Sequence, residues 1–263
     1  MRKRKFLLIA SFMVLAGFIS TPVCAHFLWL TVDNYHPSPG EEIMINIGWG
    51  HKFPRDDQPR AEMVRKMTLF LVNPQGKKIP LSIKPKGKKG VEPIKVKLED
   101  RGTYLAVLAV RTFVSKTIEG YFYKSKSELK NVLKSFWYEP VAKAIINVGP
   151  PGGIAFKKGL GYQFEIVPLK NPANIKKGEM LPVYCLLKGK PTKAWIYATY
   201  AGFSNLRNTF AWTTHTDKNM IAKVKILKKG LWLVKTEDSL PVSYTHLRAH
   251  ETRHDLVCRL LLE

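Results

Sequence analysis

The stretch EEIMINIGWG, residues 41–50, places Ile43, Ile45, Ile47 and Trp49 on every second position. A period of two puts these side chains on one face of a strand and scatters them around a helix. Similar short runs recur along the chain: FLWLTVD, KMTLFLVN, VEPIKVKLE, AKAIINVG, GYQFEIVPL, TKAWIYATY, MIAKVKIL and GLWLVK. Gly, Pro and Asn-Pro separate them, as turns between strands require. GTYLAVLAV, residues 102–110, is apolar on both alternating faces and is expected at the centre of a sandwich.

One segment breaks the pattern. In SKSELKNVLKSFW, residues 125–137, Leu129, Val132, Leu133, Phe136 and Trp137 fall at helical spacing. Ser125 and Glu128 have the spacing of a capping box. A short helix, packing or acting as a lid between domains, is expected there. The halves also echo one another: SPGEEIMINIG resembles KKGEMLPVYCL, and DRGTYLAVLAV resembles KKGLWLVKT. The expected fold is mostly β, with two Ig-like or transthyretin-like β-sandwich domains over residues 26–112 and 146–241. Residues 113–145 form the helical insert or linker.

Both ends read differently from this core. Arg2 to Lys5 are basic, Phe6 to Ile19 are apolar, and Val23-Cys24-Ala25 ends on small residues. This is the pattern of a signal peptide over residues 1–25, cut before His26. Lipidation of Cys24 is disfavoured by the Pro22-Val23 approach. Residues 242–263 resemble a translated sequencing adapter and are set apart, which leaves the second sandwich short of a final strand. An exported, periplasmic or secreted protein is expected.

The formal net charge is +23. Removing the four basic leader residues, and a tail whose three arginines balance three acids, leaves about +19. Export argues against a nucleic-acid partner, and the lysines are scattered through loops such as KPKGKKG. Solubility and peripheral attraction to an anionic envelope surface fit better. Only Cys185 remains between leader and tail, so no disulfide is expected within that part of the chain. GPPGG, residues 149–153, lacks the Lys-Ser/Thr of a phosphate loop, and no Ser-His-Asp or Cys-His arrangement stands out. No enzymatic activity is expected.

Four histidines lie between leader and tail: His26, His36, His51 and His215. A first-residue His26 would offer an α-amine, with a reference pKa near 8, beside its own imidazole. Those two nitrogens can close a chelate ring, and His51 in GWGHKFP can add a third. Such nitrogen-rich sets suit Cu, Ni, Co or Zn. Weaker candidates are His36 before a Pro turn, His215 beside a hairpin turn, and Asp56 and Asp57. The two aspartates could supply oxygen ligands or accept an imidazole N–H.

AHFLWL, GWGHKFP, EIVPLKNP, THTDKN and KKGLWLVK occur in an order that resembles a family of exported bacterial proteins. That family is described as a domain of unknown function, or as the periplasmic component of a cobalt/nickel transport system. In THTDKNM, Met220 stands where the family has glycine. The resemblance implies divalent-metal handling outside the inner membrane, with His26 and His51 as the matching histidines. It implies Ni²⁺ or Co²⁺ as cargo, with Cu or Zn also possible, and a membrane metal transporter as partner. Two other readings fit the same residues: a copper-dependent oxidative enzyme with a terminal-histidine site, and a metal-free adhesin or scaffold.

Overall fold

The computed structural model describes residues 26–238 and 256–262, the latter segment as backbone alone. β1 (Phe27–Val32) and β2 (Glu41–Gly50) form an antiparallel hairpin, with Trp29 opposite Gly48. A one-turn helix, α1 (Ala61–Val64), precedes β3 (Met67–Val72). β4 (Lys78–Leu81) pairs back on β3, and β5 (Ile94–Leu98) pairs with β2. β6 (Gly102–Val110) lies beside β3. β7 (Thr112–Thr117), β8 (Gly120–Phe122) and β9 (Val132–Tyr138) make a separate small sheet. β10 (Val141–Val148) pairs with β6 along its whole length.

The second half begins with β11 (Phe164–Pro168), β12 (Met180–Leu187) and β13 (Lys190–Pro191). It continues through β14 (Trp195–Tyr200), β15 (Trp212–His215), β16 (Ile221–Lys225) and β17 (Trp232–Asp238). β18 (Leu256–Leu262) lies between β17 and β10. The segment that resembles an adapter therefore supplies this strand, while residues 242–255 lie outside the described residues.

One eight-stranded sheet runs through both halves in the order β15-β14-β17-β18-β10-β6-β3-β4. The β1-β2-β5 sheet covers one face, with Trp29, Ile43 and Ile45 packing against Leu71, Leu108 and Ile146. The β11-β12-β16 sheet covers the other, where Phe164, Ile166 and Val183 meet Val107, Ile145 and Ile196. β6 is thus apolar throughout because both its faces are dry: Tyr104, Ala106 and Leu108 join the first core, Leu105 and Val107 the second. β2 shows the alternation read from its sequence, with Ile43, Ile45, Ile47 and Trp49 buried.

The helix expected over residues 125–137 does not form. Glu128 accepts hydrogen bonds from the N–H and hydroxyl of Ser125, as the capping spacing predicts. The turn, Lys126–Glu128, is a single 3₁₀ turn, and Asn131 at φ +53° ends it. Val132–Tyr138 then pairs with β7, burying Phe136 and Tyr138 at alternate positions. Valine and aromatics suit a pleated surface, and a partner strand outweighs weak helical preference.

Two buried polar clusters hold the second small sheet to the large one. Lys143 Nζ of β10 lies 2.6 Å from the Glu165 carboxylate of β11, both within 2 % of full burial. Glu165 also accepts N–H bonds from Leu160, Gly161 and Tyr162 at 2.9–3.1 Å. Asn171 donates to Asn147 at 2.8 Å and to Thr103 at 3.1 Å, while its own oxygen caps Ala173 N–H.

Removing one member of a buried pair strands the other charge. Lys143→Met is therefore expected to cost about 3–5 kcal/mol, measured as a lower urea midpoint. A second expectation concerns Met220, which sits at φ +61° in the Asp217–Ile221 turn. The left-handed conformation costs a non-glycine residue about 1–2 kcal/mol, partly offset by the unfolded-state entropy of glycine. Met220→Gly should raise stability by roughly 0.5–1 kcal/mol, visible as a higher Tm.

Candidate metal centre

The start of β1 and the end of β2 are neighbours in the hairpin, since Phe27 pairs with Gly50. This register brings His26 and His51 together from positions 25 residues apart. Their ring centroids are 4.6 Å apart, with the planes tilted by 39°. Two imidazoles bound at right angles to one ion would have centroids about 4.5 Å apart, given metal–nitrogen distances of about 2.1 Å. The spacing therefore fits two rings on one cation. His26 is exposed and stacks parallel to Trp49 at 5.4 Å, whereas His51 is only 9 % exposed and takes the edge of Phe27 at 5.3 Å.

The glycines of GWGHKFP have local reasons. A side chain at Gly48 would run into the Trp29 indole across the hairpin. Gly50 has φ +142°, and a Cβ there would collide with Asp56. With Gly50 so shaped, the Asp56 carboxylate accepts the N–H of His51 at 2.6 Å and of Lys52 at 3.2 Å. The Trp29 indole N–H donates to the Pro54 carbonyl at 3.1 Å and ties the following loop to β1.

The second half of the chain completes the site. Asn208, in the loop between β14 and β15, donates its N–H to the His51 carbonyl at 3.2 Å. Its side-chain oxygen lies 3.2 Å from His51 Nδ1. With Nδ1–H donating to that oxygen, the His51 lone pair is on Nε2, the arrangement that suits a metal-binding imidazole. Asn208 takes φ +52°, a conformation asparagine tolerates better than most residues. Beneath the pair, the buried Lys235 ammonium lies 3.5 Å from the Phe27 ring centroid and 4.8 Å from that of Phe210. Such desolvated cation–π contacts are worth about 2 kcal/mol and hold Phe27 in place under His51.

Of the weaker candidates, Asp56 and Asp57 lie beside the histidine pair, Asp56 on the His51 N–H and Asp57 on the same surface as His26, whereas His36 and His215 lie elsewhere. His36 is exposed in the β1–β2 turn, at the opposite end of the hairpin, and its N–H is taken by Asn34. His215 ends β15 on the sheet edge, against Trp195 at 5.3 Å. Asp56 caps backbone N–H groups, and Asp57 pairs with Lys89 at 3.0 Å. The Asp57 carboxyl is held below the ordinary carboxylate range by the Gln58 N–H and by Lys89. Among the described residues, no cluster of three or more His, Cys, Asp or Glu is placed to hold a metal. Sequence reasoning missed Asn208 and the stacking partner Trp49.

Burial, then the adjacent His26, hold the His51 imidazole below its usual 6.5; the Asn208 hydrogen bond opposes them, and Arg207 and Asp56 add smaller effects of opposite sign. The unfolded chain therefore takes up a proton near pH 6.5 that the folded site resists. Stability from this residue is unaffected above that value and falls as pH drops through it. The metal-free protein should lose Tm between pH 7 and pH 5, and His51→Gln should flatten that part of the slope in a thermal melt series.

Among the described residues no helix is long and apolar enough to cross a membrane. No curated protein matches the chain. A DUF4785 family protein from Legionella pneumophila aligns over 82 % of this chain and 53 % of its own, at 11 % identity and a TM-score of 0.29. The chain thus spans about half the length of that structure. The mouse nectin-like molecule 4 ectodomain aligns over 89 % of this chain and 62 % of its own, at 12 % identity and a TM-score of 0.20. A family model described as a domain of unknown function, DUF4198, matches residues 23–239, and the chain belongs to that family.

Proposed function

We propose that this protein is a periplasmic carrier of divalent transition metal, with Ni²⁺ or Co²⁺ as cargo and a membrane metal transporter as recipient. The observation that carries this reading is the 4.6 Å approach of the His26 and His51 rings, with Asn208 fixing the His51 tautomer. After cleavage before His26, the ligands are its α-amine, its Nδ1 and Nε2 of His51. The exposed His26 lets the ion enter and leave, while the buried His51 stays put. Release is ligand exchange at the transporter. Intrinsic affinity at such nitrogen sets is greatest for Cu²⁺, so the choice of Ni²⁺ or Co²⁺ rests on supply and on the recipient.

The reading is tested by calorimetric titration of Ni²⁺ into protein that begins at His26 and into protein with one extra glycine before it. The extension removes the amine from the chelate ring. It should weaken binding by roughly 100-fold, at least the cost of disturbing an outer-shell partner. Binding by the authentic chain should also fall sharply from pH 7.5 to pH 5, because the ligands bind deprotonated. Equal affinity in the two chains, or equal affinity at the two pH values, overturns the proposal.

A further inference from the structure

A cleft of about 670 Å³ opens beside the histidine pair, with His26 and Trp49 on its wall. It lies between the end of β2, the segment leading into α1, and the small β7-β8-β9 sheet. Tyr121, Tyr123, Phe136 and Tyr138 give it a second, largely aromatic wall. Arg60 and Lys89 bring positive charge to it, with Glu119 and Asp57 as the acids. Lys89 already shares its charge with Asp57 at 3.0 Å, which leaves Arg60 as the stronger anion contact. The Tyr123 phenol is pushed above its usual pKa, mainly by burial, so it stays protonated and can donate a hydrogen bond.

A bare ion needs none of this room, whereas small organic molecules bind in pockets of about 300–1,000 Å³. The donor set of the chain is also short, because two imidazoles and an amine fill only part of a coordination sphere. We infer that the cleft binds a flat, ring-bearing organic dicarboxylate that chelates the metal, so that the cargo is held at His26 and His51 as a ternary complex. The ring stacks on the aromatic wall, a carboxylate pairs with Arg60, and the remaining donors meet the ion. This inference rests on the metal-carrier reading and specifies the form in which the metal is held.

The test uses protein beginning at His26, loaded with Ni²⁺ and titrated with pyridine-2,6-dicarboxylate. Iminodiacetate is the comparator, because it offers two carboxylates and a nitrogen without a ring. Native mass spectrometry reads the stoichiometry and calorimetry the affinity. A one-to-one-to-one complex is expected. Arg60→Gln should weaken the pyridine compound roughly ten-fold, the loss of one charge-assisted hydrogen bond. Tyr121→Ser, at a half-exposed position that folding tolerates, should weaken the pyridine compound but leave iminodiacetate unchanged. Neither variant should alter affinity for Ni²⁺ alone. The inference is overturned if the dicarboxylate strips Ni²⁺ from the protein, or if both variants form the ternary complex as well as the unsubstituted chain. Failure of the unsubstituted chain to bind Ni²⁺ at all removes the carrier reading first, and this one with it.

Discussion

β6 and β10 carry apolar side chains on both faces, so neither face can be left to water and a single small sheet cannot cover both. The two halves of the chain answer by each placing a small sheet on one side of the same large one. Apolar contact alone is non-directional and would tolerate sliding of one layer over another. The buried polar groups remove that freedom. Lys143 and Glu165 satisfy one another only in one alignment of β10 and β11, and Asn171 meets Thr103 and Asn147 only where the chain enters its second half. A buried ion pair is weak evidence for stability as such, and its value here is positional.

The candidate site depends on that alignment. His26 and His51 are neighbours by hairpin register, which the first half can set unaided. The orientation of the His51 ring is different, because it is fixed by Asn208 from the second half. Lys235 of β17 supports Phe27 from below in the same way. The site therefore sits at the seam between halves, with the two histidines from one side and their supports from the other. Gly48 and Gly50 let Trp29 and Asp56 close in around it without steric conflict.

Much of this was legible in the chain and some was not, for identifiable reasons. Strict alternation in residues 41–50 reported one buried face, and the unbroken apolar run of residues 102–110 reported two. The Asn of EIVPLKNP stood out as a motif, and its work as a polar link explains why that residue type is needed. Residues 125–137 misled because Val132, Phe136 and Trp137 satisfy a helical spacing while also suiting a strand, and only β7 decides between them. The same error hid the aromatic cleft, whose wall is built by the small sheet. Asn208 gave no signal at all, since it lies 157 residues from His51 and ordinary loop residues surround it.

That long separation has a temporal meaning. A polypeptide made from its amine end completes the β1–β2 hairpin long before the β14–β15 loop exists. Until Asn208 has emerged and docked, the imidazole at position 51 has neither its tautomer fixed nor its ring oriented. The geometry of the pair is thus finished late, by a segment far along the chain from the one that begins it.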